Sequence, residues 1–286
     1  ADNLTANQRL LLKLHERGHV PMTTLQRWAK DGRKGYPIAI TKVPFLPVCA
    51  ACEYAAAQRR SKQAGELGPS DPEPGDFVSV DTNVAGTPGF IPSKQGKPTK
   101  QRYHSSTLWV DKASKFSWID HQDKNDCRAA LKSKTSFENY ARQYDRKIKH
   151  IHSDNGIFAS KSFVNACERN GQKHTLCAVS AHHQNGIAER YIGITTTKAR
   201  TMLIHAMQKW SKQITAEFWP FALSYAKYVH NHSRRRGLDK TPQEIFTDED
   251  NPDRSTEFKV FGCPAFALEK ELAGGKATGK YSKRRS

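Results

Sequence analysis

The sequence lacks any run of about 18 apolar residues, and its N-terminus lacks a basic stretch followed by an apolar one. These absences argue against a membrane-spanning helix and a secretory signal. Cysteine is sparse, with 6 in 286 residues, and Cys127, Cys167, Cys177 and Cys263 are scattered without a regular disulfide framework. We therefore expect a soluble, intracellular protein with no membrane partner. The chain begins at Ala1, which suggests excision from a longer precursor.

Acidic residues are strongly outnumbered. The 28 Asp and Glu face 46 Lys and Arg, which gives a formal net charge of +18. A field of this sign and size favours a polyanionic partner, and nucleic acid is the leading candidate. Bulk binding of the ribosomal or histone type is the alternative. At 37% hydrophobic residues the chain can bury a sizeable core, and its length indicates two domains.

Three compositional blocks divide the chain. Residues 1–63 carry apolar positions at helical spacings of three and four, whereas residues 64–75 contain three prolines and three glycines without a basic residue. From residue 76 the pattern changes to short runs of β-branched and aromatic residues. We predict a small helical domain over 1–63, a linker over 64–75, an α/β core over 76–235 and a basic, truncated C-terminal extension over 236–286.

The central block predicts strands and helices in a mixed order. Strands are expected over residues 76–84, 106–111, 115–123, 147–154 and 174–179. Helices are expected over residues 125–144, 160–171 and 217–232, and in a long stretch after Gly186. This order predicts a mixed sheet flanked by helices, in which the early hairpins are antiparallel and the later crossover is parallel.

Two histidines and two cysteines form the first group with a chemical meaning. His15 and His19 are one helical turn apart, and Cys49 and Cys52 form a CxxC pair. Zinc prefers four tetrahedral nitrogen and thiolate ligands, which this set can supply. A redox CxxC pair with surface histidines is the alternative. Zinc is favoured because a block of 63 residues has a thin core that metal binding would stabilise.

Three carboxylates form the second group. Asp81 lies in the first predicted strand, Asp154 ends the fourth in SDNG, and Glu189 follows the Asn-Gly corner before the long helix. Acids in apolar strands are costly unless they are neutralised, and convergent carboxylates suit Mg²⁺ or Mn²⁺. Other acids near strands are open alternatives, namely Asp111, Asp120 and Asp123.

Several motifs follow one another in chain order, namely His-His-Cys-Cys, SDNG, HHQNGIAER, TPQEIF and FKVFGCPAF. Taken together, they resemble the integrase of a copia-type LTR retrotransposon along almost the whole chain. The resemblance implies a helical zinc domain followed by a ribonuclease-H-like core. Its zinc ligands would be His15, His19, Cys49 and Cys52, and its catalytic acids Asp81, Asp154 and Glu189. It also implies two catalytic Mg²⁺ or Mn²⁺ ions, double-stranded element and target DNA as partners, a homo-oligomer, and action in the nucleus after a cytoplasmic particle stage.

The sequence departs from this family in three ways. DNGIF, which begins at Asp154, is one residue shorter than the usual DNG-x-E-F. Tyr191, Ile192 and Gly193 follow Arg190 where many relatives carry an Asn-Arg pair, so basic side chains expected on this helix are partly missing. The chain also ends soon after FGCPAF, so most of the variable C-terminal part is absent. A DNA transposase with the same triad is one alternative function, and a non-catalytic zinc and DNA-binding protein derived from such an element is another.

The residues expected to contact DNA are basic or polar and lie in loops or at the start of the long helix. They are Lys94, Lys97, Lys100, Arg102, His183, Gln184, Asn185, Arg190 and Lys198. For the loop over 93–102 the alternative is a solvated hairpin. His150 and His152 share a strand face with Asp154, and we expect them to pack beside the acids rather than bind metal.

Overall fold

The computed structural model describes residues 4–56, 71–92, 99–177, 186–234, 238–250 and 254–265. The α-helices are α1 (Ala6–Glu16), α2 (Met22–Lys30), α3 (Ala50–Ala56), α4 (Cys127–Arg142), α5 (Lys161–Arg169), α6 (Gly186–Lys209), α7 (Trp219–Asn231) and α8 (Pro242–Thr247). The strands are β1 (Val78–Phe90), β2 (Arg102–Asp111), β3 (Ser117–Gln122), β4 (His150–Ser153) and β5 (Lys173–Leu176). None of the described helices is both long enough and apolar enough to cross a membrane.

A single five-stranded sheet forms the centre of the fold, in the order β3-β2-β1-β4-β5. The hairpins β1–β2 and β2–β3 are antiparallel, whereas β1–β4 and β4–β5 are parallel. Parallel neighbours need a crossover, which α4 and α5 supply. The predicted ribonuclease-H-like mixed sheet, flanked by helices and preceded by a small helical unit, is therefore confirmed.

Alternating side chains give the sheet two buried faces. On one face Val78, Val80 and Trp109 pack with Phe137 of α4 and Phe246 of α8. On the other face Leu108 and Val110 pack with Tyr191 of α6. Because successive residues of a strand point to opposite faces, this assignment also fixes the face of every polar residue between them.

The N-terminal helices share a core with the helices of the larger unit. Leu11, Leu14 and Trp28 belong to the same buried cluster as Met202 of α6 and Leu223 of α7. The small unit therefore packs directly on α6 and α7. The residues after 235 also enter the interior, because Phe246 of α8 and Phe258 are buried in the two main clusters. The domain limits predicted from composition stay a prediction.

The β1–β2 hairpin is longer than predicted. It continues as a two-stranded ribbon to Phe90 and Arg102, with a register shift between Val84 and Gly89. Gly89 allows the ribbon to approach α7, because a Cβ atom there would lie 2.4 Å from Pro220 and 2.5 Å from Trp219 Nε1. The indole nitrogen of Trp219 donates to the carbonyl of Thr87 at 2.8 Å and so fastens the ribbon.

Polar contacts tie the edge strand β3 to α7. The imidazole of His121 lies 2.8 Å from the hydroxyl of Ser106 through Nδ1 and 2.8 Å from that of Ser224 through Nε2. Its ring also stands edge-on to Trp219. Burial lowers the pKa of His121 from 6.5 to about 4. The folded protein therefore prefers the neutral ring.

This preference predicts a loss of stability in acid. Between about pH 6.5 and pH 4 the unfolded chain protonates His121 while the folded chain does not, so the unfolded state binds more protons. The free energy of unfolding should fall over this range by up to about 3 kcal/mol on account of this residue. His121→Gln should flatten the pH dependence in urea unfolding. An unchanged slope in the variant would contradict the prediction.

Candidate active site and metal centre

The predicted zinc ligands come together in the N-terminal unit. His15 lies near the end of α1, His19 follows that helix, and Cys49 and Cys52 lie before and within α3. Their ligand atoms all lie within 4.8 Å of one another. Within the described ranges this is the one set of three or more such residues that could hold an ion at that spacing.

Local structure orients each histidine for metal binding. His15 Nδ1 lies 2.8 Å from the carbonyl oxygen of Val20, to which it can donate, and this leaves Nε2 as the ligand atom. His19 has a φ of 48°, a left-handed conformation unusual for a side chain with a Cβ, and its amide donates to the His15 carbonyl at 2.6 Å. This turn directs His19 Nδ1 back toward His15 and the two cysteines.

The distances within this set fit zinc. His15 Nε2 lies 3.2 Å from Cys52 Sγ and 3.3 Å from His19 Nδ1, and His19 Nδ1 lies 3.7 Å from Cys49 Sγ. Zinc–nitrogen bonds of about 2.1 Å and zinc–sulfur bonds of about 2.3 Å put tetrahedral ligand atoms about 3.3–3.8 Å apart. A hydrogen bond with the Cys52 thiol lowers the pKa of Cys49, so one thiolate is favoured before metal binds.

The predicted catalytic aspartates occupy neighbouring positions, Asp81 within β1 and Asp154 just after the end of β4. Val80 of β1 pairs with Ser153 of β4, and Asp81 and Asp154 directly follow these two residues. Neighbouring parallel strands are about 4.8 Å apart, so the two acids start from adjacent backbone positions. Asp81 also pairs with Leu108, which lies on the face covered by α6. Asp81 therefore belongs to that face, and Asp154 follows β4 at the neighbouring position.

Glu189 lies in the same region, on a helix that packs against the sheet. It is exposed in the first turn of α6, the helix that contacts both β1 and β2. The neighbouring Ile187 and Tyr191 fix this turn by packing with Leu108 and Val110. The three acids do not form a set whose oxygens all lie within 4.8 Å of one another. That these acids hold a pair of metal ions stays a prediction.

The side chain of Cys177 lies within the electrostatic reach of all three acids. Burial raises the pKa of Cys177, and the negative charges of Asp154, Glu189 and Asp81 raise it further. The acids therefore create a common negative field at this point, which is the condition that favours a cation.

The residues around the acids fit a site for hard cations. The carboxylate of Asp154 accepts from the amide of Gly156 at 3.2 Å, and a Cβ atom at position 156 would lie 3.2 Å from the second carboxylate oxygen. Glycine thus leaves room beside this oxygen. Asp81 accepts from the amide of Thr82 at 2.6 Å. Carboxylate oxygens are the ligands that Mg²⁺ and Mn²⁺ prefer.

The alternative acids have other environments. Asp111 is fully buried and accepts from the amide of Gly75, and from the amide and hydroxyl of Ser114, at 2.6–2.8 Å. Asp120 accepts from Trp118 Nε1 and the Ser133 hydroxyl, both at 2.8 Å. Burial raises the pKa of both carboxyl groups. The hydrogen bonds to these two carboxylates favour a structural role for both acids.

The residues predicted to contact DNA differ in their exposure. Lys100 and Arg190 are exposed, whereas Arg102 is half-buried, donates to the carbonyls of Thr99 and Gln101 and lies over the ring of Phe90. Lys198 is half-buried in the middle of α6, where burial lowers its pKa to about 8. The others, Lys94, Lys97, His183, Gln184 and Asn185, lie outside the described residues. DNA contact stays a prediction for all nine.

Two residues in or next to β4 and β5, His152 and Cys177, have positions that sequence patterns predict poorly. His152 is buried, its Nδ1 lies 2.9 Å from the Thr175 hydroxyl, and its Nε2 lies 3.6 Å from Cys177 Sγ. His150 Nε2 also lies 2.8 Å from the Thr175 hydroxyl, and the expectation that the two histidines pack beside the acids rather than bind metal stays a prediction. The sequence does not indicate that Cys177 lies near the acids, because its position depends on the pairing of β5 with β4. Its place directly after a short strand is the one local signal.

No protein-family model matches the chain. Among solved structures, the simian T-cell lymphotropic virus intasome in complex with PP2A regulatory subunit B56 gamma is 20% identical, with 85% of this chain and 76% of that chain covered and a TM-score of 0.48. The HTLV-2 integrase catalytic core domain in complex with magnesium is 19% identical in its dimeric form, with 62% of this chain and 98% of that chain covered and a TM-score of 0.43. Likenesses of this size carry no conclusion about activity.

If this set binds zinc, replacing Cys49 should affect zinc content and stability, whereas replacing Cys263 should not. The purified chain should hold about one zinc ion, and Cys49→Ser should lose it and at least about 3 kcal/mol of unfolding free energy. The matched control is Cys263→Ser, since Cys263 is exposed and lies outside the ligand set. Metal analysis and denaturant unfolding measure both effects. Equal zinc contents in the two variants would show that Cys49 is not a ligand.

The buried environment of Asp111 predicts a structural role. Asp111→Asn would turn an amide group toward backbone donors, so the free energy of unfolding should fall by about 2–3 kcal/mol. The control Asp123→Asn changes an exposed acid and should cost less than about 0.5 kcal/mol. Urea unfolding of both variants compares them, and equal stabilities would refute the role given to Asp111.

Proposed function

We propose that this protein is a metal-dependent polynucleotidyl transferase that joins DNA strands, with Asp81, Asp154 and Glu189 as its catalytic acids. One observation supports this proposal above all. Asp81 within β1 and Asp154 just after β4 occupy neighbouring positions next to the helix that carries Glu189, and all three charges act on Cys177.

The chemistry of the site follows from its charges. Mg²⁺ or Mn²⁺ bound by the carboxylates would supply charge stabilisation for the attacking and leaving oxygens of a phosphodiester. Asp81, the half-buried residue between β2 and β4, is the best candidate for a ligand shared by two ions. The chain's net charge of +18 would hold the polyanionic substrate near this negative site.

The finer assignment follows the motifs of the sequence. We propose that the reaction is strand transfer, in which a 3′-hydroxyl of element DNA attacks target DNA, as in the integrase of a copia-type retrotransposon. The His15, His19, Cys49 and Cys52 set would hold a structural zinc ion. Double-stranded DNA, a second copy of the chain and a nuclear site of action are parts of the same proposal.

The proposal predicts a selective loss of activity in Glu189→Gln. The substitution keeps the size of the side chain but removes the charge, so strand transfer with Mg²⁺ or Mn²⁺ should fall at least about a hundredfold. Folding and salt-sensitive DNA binding should persist. The assay follows joining of labelled oligonucleotide ends to a target duplex.

The matched control is Asp123→Asn, an acid-to-amide change at an exposed site near a strand end. It should leave joining within about twofold of the unmodified chain. If Glu189 were only a favourable charge at a helix start, its replacement would cost under about 1 kcal/mol of stability and leave joining intact. A chain that binds DNA but joins none under any metal condition would instead favour the non-catalytic alternative.

A further inference from the structure

Helix α6 connects the two candidate metal sites. Its first turn carries Glu189, and Ile187 and Tyr191 hold that turn against the sheet. Its second half carries Ala199 and Met202, which are buried in the core formed by the N-terminal helices and α7. At 1.5 Å per residue, the 24 residues of α6 form a rod about 36 Å long. One rigid element thus contacts both sites.

Polar groups on α6 face the histidine ligands. The ring of His205 stands edge-on to that of His19, with 5.4 Å between ring centroids, and both residues are buried. His205 Nε2 also lies 3.8 Å from a carboxylate oxygen of Glu16, and Lys209 Nζ lies 3.5 Å from the other oxygen. Glu16 therefore links α1 to two positions on α6 next to the ligand set.

The cysteine side of the ligand set also packs on α6. Helix α3 contacts α6, and the small residues Ala51 and Ala55 are buried at 3% and 1% exposure. Small side chains allow two helices to approach closely, so a displacement of α3 cannot leave α6 unaffected. Cys52 lies between these two alanines in α3. The histidine ligands and the cysteine ligands therefore both belong to segments that pack against α6.

We propose that the His15, His19, Cys49 and Cys52 set and the second half of α6 form one cooperative unit, with His205 as a positioning residue. Metal binding at this set orders residues 199–206 of α6, and order in α6 in turn strengthens metal binding. The two effects are reciprocal because a coupling free energy acts equally in both directions. The consequence for Glu189, which the same rod carries, rests on the proposed function.

The competing arrangement is that α7 alone holds α6. These helices share the buried residues Leu223, Ala226 and Met202, so this possibility has a clear physical basis. In that case the N-terminal unit could lose its metal and its order without any change in α6. Hydrogen exchange distinguishes the two arrangements because it reports local opening separately for each segment.

The first test measures hydrogen exchange of the full chain with zinc bound and after treatment with 1,10-phenanthroline. This nitrogen ligand removes zinc and leaves Mg²⁺ in place. Cooperative coupling predicts that amides at 199–206 exchange at least about tenfold faster without zinc, while amides of β1 and β2 keep their rates. Unchanged exchange at 199–206, in a sample whose residues 11–30 exchange faster, would overturn the proposal.

The second test measures the effect in the opposite direction. His205→Gln should lower the zinc affinity of the full chain about tenfold, which competition with a chromogenic chelator can determine. The matched control is Lys212→Gln, an exposed position beyond the end of α6, and its affinity should equal that of the unmodified chain. Equal affinities for all three proteins would overturn the role of His205.

The outcome does not depend on whether strand transfer occurs. Glu189→Gln should keep both the zinc affinity and the slow exchange at 199–206. If that variant also kept its joining activity, the catalytic proposal would fail and the coupling would stand. If joining disappeared but zinc removal left α6 protected, the coupling would fail and the catalytic proposal would stand.

Discussion

Helix α6 packs at once against the sheet, against α7 and against the N-terminal helices, and the rest of the structure depends on this triple contact. Tyr191 meets the sheet, whereas Met202 joins the core that contains Leu11, Trp28 and Leu223. A helix held on three sides has one allowed position, because close-packed interiors do not deform continuously. The first turn of α6, with Glu189, is therefore placed by contacts spread over the whole chain.

The N-terminal helices gain from the same contact. They do not form a thin core of their own, since Leu14 and Trp28 are buried together with residues of α6 and α7. A metal ion at the histidine and cysteine set is therefore one of two stabilising contributions, with apolar burial as the other. The left-handed conformation of His19, at a φ of 48°, turns its ring toward His15 and Cys52.

Acids in this basic chain divide into two kinds by their surroundings. Asp111 and Asp120 receive several short hydrogen bonds, and these interactions offset the cost of burying a carboxyl group. Asp154 instead lies beside Gly156, where a Cβ atom would be 3.2 Å from its second carboxylate oxygen, and its charge acts on Cys177 together with those of Asp81 and Glu189. Buried carboxylates with several short hydrogen bonds support the fold, whereas negative charges that act on one point favour a cation there.

Local sequence alone determined the strands, the helices and the ligand types, because alternation of side chains and capping residues act over a few neighbours. The hairpin order, the crossover before β4 and the histidine and cysteine set at residues 15–52 could all be predicted in this way. Asp81 and Asp111 looked alike in sequence, and only tertiary structure separated them, by placing Gly75 and Ser114 around Asp111. The nearness of Cys177 to the acids, and of His205 to His19, likewise depends on contacts between residues far apart in the chain. Such contacts are set by the packing of whole elements, which no short stretch of sequence encodes.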